Sequence, residues 1–160
     1  MKCMCLSAFV CVVSGMASGA EPPKPVDPLC AHIAAFANAT EGEATHTVVF
    51  RTDWSAMFSG KPDALAKSCD HAGYAPGATL CRYLIGNTST EFALLNFNRV
   101  LACITPQSAS LPVNRIRRLD IALSVFDAPG VKPDVEVGLA FSSTTTAQPV
   151  LTLSATGVAP

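Results

Sequence analysis

The chain has 160 residues, 49% of them hydrophobic, with 11 basic and 12 acidic side chains and seven cysteines. A charge balance this close to neutral excludes a general binder of nucleic acid or anionic membranes. After the N-terminus no segment holds the roughly 18 unbroken apolar residues of a membrane helix, so the hydrophobic content is read as a core and the mature chain is expected to have no membrane span.

The first twenty residues read as a secretory signal. Met1 and Lys2 make a short basic start, Cys3 to Val13 an apolar middle too short to cross a bilayer, and Ser14 to Ala20 a small-residue exit. Ser18 and Ala20 supply the small side chains expected before a cut after Ala20. A lipid anchor would need a cysteine after a small residue, and Cys11 follows Val10 instead. Residues 21–28, rich in proline, are a linker, and 29–160 are expected to form one globular domain.

Removal of the signal takes Lys2 with Cys3, Cys5 and Cys11, leaving a net charge of −2 and four cysteines, Cys30, Cys69, Cys81 and Cys103. An even count behind an export signal predicts two disulfides and a periplasmic or secreted location. No Cys-x-x-Cys pair occurs and no histidine stands in a zinc-type register, so neither a metal nor another cofactor is expected. Three connectivities are open. If Cys81 and Cys103 lie at different heights on a helical hairpin turning near Asn87, the geometry favours Cys69 with Cys81 and Cys30 with Cys103.

Asp27 as cap and Pro28 at the first helical position open a helix with Leu29, Ile33, Phe36 and Ala37 on one face, ending near Asn38. From His46 to Trp54, Val48, Phe50, Thr52 and Trp54 alternate with Thr47, Val49, Arg51 and Asp53, which predicts a strand. Pro62 and Asp63 are read as the start of a short helix through Leu65, Ala66 and Cys69, stopped by Gly73. Pro76 and Gly77 start another, through Leu80, Cys81, Leu84 and Ile85 to Gly86. Thr88 with Glu91 forms a capping-box pattern, predicting a helix from Ser89 to about Ile104 buried over most of its surface, with Asn96 hydrogen-bonded inside the core or at a site.

Beyond Pro112 the period changes to two. Leu119 to Phe126, Val135 to Ser142 and Val150 to Ala155 are predicted strands, the first two joined by a turn-rich hairpin loop over residues 127–134. The expected fold is α+β: a helical N-terminal half packed on one face of a small antiparallel sheet, made of a three-strand C-terminal meander and one earlier strand. Ala122, Ser124, Gly138, Ala140, Ser142, Thr152 and Ser154 would then form a flat opposite face of small side chains. Such a face lies simply exposed or receives another molecule closely, exposure being the commoner case.

Candidate chemistry is sparse. The run Arg115, Arg117, Arg118 is interleaved with Ile116 and Leu119 and reads as the start of a strand. Ser68, Cys69, Asp70 and His71 are consecutive, but helical neighbours point in different directions, whereas a triad needs groups that meet in space. His71 reads as a cation near a helix C-terminus, one turn after Lys67. His32 falls on a helix and His46 at a strand start. Asn38 and Asn87 fit the glycosylation pattern, which short sequences meet often by chance. Trp54, Met57 and Phe58, followed by Ser59 to Pro62, either cap the core or form a loop that carries apolar contacts outward. That loop with the hairpin tip Pro129 to Pro133 is the candidate protein-binding surface. The sequence thus points to a non-enzymatic protein-binding module, an inhibitor or immunity-type partner of another protein in its compartment, or alternatively to a small secreted hydrolase using His46 or His71 with a carboxylate such as Asp53 or Asp70. No catalytic residue is assigned.

Overall fold

In the computed structural model, which describes residues 26–53, 66–105, 110–111, 119–143 and 148–159, helix α1 spans Pro28–Asn38. Asp27 is its N-cap, extended in backbone, with its carboxylate accepting from the Leu29 amide at 3.0 Å. Strand β1, Thr45–Asp53, follows, then β2, Ala66–Asp70, helix α2, Ala75–Asn87, and helix α3, Ala93–Ile104. Strands β3, Leu119–Val125, β4, Val135–Ser143, and β5, Val150–Gly157, complete the order. The five strands form one sheet in the order β2-β1-β5-β4-β3, every neighbour antiparallel.

The register aligns side chains into rows that cross the sheet. On the inner face one row runs Cys69, Phe50, Leu151, Phe141, Ile121, and the next Val48, Leu153, Leu139, Leu123. The helices close over these rows: Leu29, Ile33 and Phe36 of α1, Leu80 and Leu84 of α2, and Phe97, Val100 and Ile104 of α3 are all buried. Phe97 meets Phe141 with ring centroids 5.3 Å apart. Each such large apolar side chain removed from water stabilises the fold by about 1.5–3 kcal/mol. Disulfides Cys30–Cys103 and Cys69–Cys81 tie α1 to α3 and β2 to α2. The architecture is the expected α+β one, with both favoured cysteine pairs.

Three local expectations are corrected. Ala66 to Cys69 is a strand rather than a helix, so the sheet gains a fifth member. Residues 62–65 lie outside those described. Phe50 and Arg51 pair with Cys69 and Ser68, and the ladder overrides a marginal helical pattern only a few residues long. The Thr88–Glu91 box does not form: Thr88 Oγ1 donates to the Leu84 carbonyl at the end of α2, and α3 starts only at Ala93. The hydroxyl of Ser89 instead accepts from the Phe92 amide at 3.0 Å. Third, His71 is not at a helix C-terminus but in the turn from β2 to α2, its carbonyl accepting from the Tyr74 amide.

Candidate functional site

The face of the sheet turned from the helices is built by the alternate residues of the same strands. Its central rows run Asp70, Val49, Thr152, Ala140, Ala122 and Thr47, Ser154, Gly138, Ser124. Among the described residues no helix covers these positions, and Ala122 and Ser124 are exposed. Two adjoining shallow depressions of about 340 Å³ each lie along it. One touches Asp120, Ser142 and Val150, the other Ser124, Gly138 and Ser154, and both touch Ala122, Ala140 and Thr152. Gly138 keeps the floor low, since a Cβ there would overlap the Ser154 hydroxyl. The face is therefore hydroxyl and methyl in character. Charge stands at its margins, with Ser68, Arg51, Val150, Ser142 and Asp120 in the row toward one end and Glu136 paired to Thr156 toward the other.

At that second end the hairpin between β3 and β4 is held firmly. Asn38, the last residue of α1, donates from Nδ2 to the Gly130 carbonyl and accepts from the Lys132 amide at Oδ1, both at 2.8 Å. Gly130 occupies the left-handed region, φ +76°, which glycine adopts without penalty. Ala128 beneath it is buried, while Phe126 at its base is 58% exposed. These two bonds use the amide of Asn38, and Thr40 is buried, so the first glycosylation pattern is not presented as an acceptor.

Trp54, Met57 and Phe58 lie outside the described residues. Their point of attachment, Asp53, is at the Ser143 end of the sheet, whereas the hairpin tip is at the Thr45 end. The nine residues of β1 separate the two by about 26 Å.

Of the histidines, the structure brings two toward one aromatic. The His46 ring stacks on Tyr74 at 3.6 Å, parallel to within 1°. His71 precedes Tyr74 by three residues, and its Cβ lies where a side chain on Gly77 would be. Tyr74 also meets Phe36 edge-on at 5.8 Å. Its hydroxyl and His71 Nδ1 are buried and have no hydrogen-bond partner among the described residues. The carboxylate of Asp70 is turned away to accept from the Ala72 amide at 2.9 Å. Among the described residues neither imidazole is hydrogen-bonded to a carboxylate. His32 stands apart, its ring tilted by 32° against that of Tyr83 with centroids 4.2 Å apart. Ser68, Cys69 and Asp70 alternate across a strand, and Cys69 is half of a disulfide. Among the described residues no group of three or more histidine, cysteine or acidic side chains is placed to hold a metal ion.

Among the described residues the one ion pair is structural. Arg99 donates from Nε and Nη2 to the two carboxylate oxygens of Asp27, at 2.7 and 2.9 Å, and from Nη1 to the Asn87 carbonyl. These guanidinium bonds, with the Leu29 amide adding to them against a modest burial, hold the Asp27 carboxyl below its usual range. Asn96 is also structural: its side chain bonds both the amide and the carbonyl of Ser89, fixing the turn between α2 and α3. Comparison with models of protein families, with curated proteins and with solved structures gives no match.

Proposed function

We propose that this chain is an exported, non-enzymatic protein-binding module, an inhibitor or immunity-type partner that meets another protein in the periplasm or outside the cell. Two disulfides belong with an oxidising compartment outside the cytoplasm. Among the described residues no helix is long and apolar enough to cross a membrane. The observation that carries the reading is the outer sheet face. Among the described residues it is open, nearly uncharged at its centre and low in relief, so another backbone or a flat apolar surface approaches it closely at little side-chain entropy cost.

The test compares the wild-type chain with Ala140→Arg, which plants a long charged side chain in the middle of that face. Affinity capture from the native extracellular or periplasmic fraction should retain a stoichiometric partner on the wild type and lose it on the variant. Equal retention by both would remove the face from the binding reaction, and no partner on either would remove the reading. Cleavage after Ala20 is part of the same proposal, and N-terminal sequencing of the mature protein should begin at Glu21.

The hydrolase alternative draws on the placement of His46 and His71 beside Tyr74. Hydrolysis of esters or phosphodiesters abolished by His46→Ala, with the fold intact, would favour it.

A further inference from the structure

The two edges of the sheet are unlike. At one edge β2 has five residues, is joined by Cys69 to α2, and its Lys67 ammonium donates to the Thr88 carbonyl at 2.9 Å. Short length, a lysine and covalent attachment are ways in which natural sheets prevent an edge from adding strands. At the other edge β3 has none of them. It runs seven residues, Leu119–Val125, in unbroken register with β4, without proline, glycine or bulge, and Asp120 is its single charge. Among the described residues β4 is its only strand neighbour.

The inner side of β3 is also incompletely covered. Phe141, Leu139 and Val137 of β4 are at most 3% exposed, but the residues beside them on β3, Ile121, Leu123 and Val125, are only partly buried. Helices α1 and α3 pack over β4 and β5. The apolar rows thus run out onto β3 and stop with surface still facing outward. An edge whose outward backbone groups meet no other strand among the described residues, and whose apolar side chains alternate, is suited to receive an extended strand.

We propose that β3 docks against β3 of a second copy of this chain, antiparallel about a two-fold axis at Ala122, to give a ten-stranded sheet. The sequence of the strand selects this partner and register. Centred on Ala122, all seven residues pair; Ile121 faces the partner's Leu123 and Leu119 faces the partner's Val125, so every inner contact is apolar. Outside, Asp120 faces the partner's Ser124, and the two Asp120 residues stand about 14 Å apart along the strands, beyond a Debye length in physiological salt. Centring on Asp120 would oppose the two carboxylates directly, which is destabilising. The inference is independent of the use of the outer face.

The protein is purified from an oxidising compartment with both disulfides formed and studied by sedimentation across a wide concentration range. The expected result is a reversible rise from monomer mass to twice that mass. In parallel, Ala122→Cys is compared with Ala140→Cys, the position beside it one strand inward. Under mild oxidation Ala122→Cys should form a linked dimer at least about tenfold faster, because pairing raises its effective concentration, with the 122–122 crosslink identified by peptide mass. Leu123→Lys should remain monomeric. The readouts on the wild type and at exposed Ala122 stand even if that variant fails to fold. A single monomeric mass up to about 1 mM would overturn the proposal. So would faster crosslinking at Ala140, which would indicate pairing through the outer face.

Discussion

Asp27 serves two structures at once, capping α1 through the Leu29 amide and anchoring α3 through Arg99. Asp27→Ala should lower unfolding free energy by about 1–2 kcal/mol in urea titration, the range of a lost cap with a partly solvated ion pair added. Asp27→Asn retains the cap but not the charge. The folded carboxyl titrates below the unfolded value of about 3.9, so its contribution is complete above that value and is lost as pH falls through the lowered folded value. The stability gap between wild type and Asp27→Asn should therefore be constant near neutral pH and close as the pH falls below the unfolded value and through the lowered folded one. The side chains are 26% and 30% exposed, which holds that gap to about 1 kcal/mol or less. Asn96→Ala should cost more, about 1–3 kcal/mol, because it strands the amide and carbonyl of Ser89. Thr52 gives the opposite sign. It is 2% exposed and its hydroxyl has no partner among the described residues, so Thr52→Val should raise the urea midpoint.

At the scale of elements, legibility in the sequence followed length and the strength of local signals. Helix α1 was plain because Asp27, Pro28 and a full apolar face agree, and β1, β3, β4 and β5 because five or more alternating residues separate a period of two from 3.6. Strand β2 was not plain. Leu65, Ala66 and Cys69 fit a helical spacing by accident, while the alternation of Lys67 and Cys69 against Ala66, Ser68 and Asp70 spans too few residues to compete. Its identity is settled by distant partners in β1 and by the bond to α2, neither of which is written locally. Thr88 shows the same limit: its hydroxyl has two backbone groups to choose from, and the carbonyl of Leu84 behind it wins over the turn ahead. The outer face was legible residue by residue from alternation, but its concavity and the unequal edges depend on strand order, which sequence does not state. The cysteine pairs lend themselves to measurement. Replacing Cys30 and Cys103 with alanine opens a loop of 73 residues and should cost about 4 kcal/mol, against about 3 for Cys69 and Cys81 with a separation of 12, as read from denaturation of the two double variants.

For the whole molecule, a helical layer on one side of the sheet leaves, among the described residues, the other side and one edge to whatever the protein meets. The three helices among the described residues, the inner rows and the two disulfides form a rigid support, and the hairpin fixed by Asn38 belongs to it. Reduction should therefore weaken the entire fold rather than one lobe, and the urea midpoints followed by backbone and by tyrosine signals should fall together.

The arrangement of the bonds has a bearing on how the molecule is made. The pairing is nested, with Cys69–Cys81 enclosed by Cys30–Cys103. A chain crossing a membrane N-terminus first delivers Cys30 while Cys103 is still behind, and Cys69 is the next thiol to arrive. Consecutive oxidation would join Cys30 to Cys69 and Cys81 to Cys103, a pattern in which every cysteine has the wrong mate. Reaching the native pairs from there requires exchange among the sulfurs, attack of a thiolate on an existing bond. On the export route proposed above, maturation should accordingly depend on a disulfide isomerase and not on an oxidase alone, and in a host lacking the isomerase most of the product should carry the consecutive pairs.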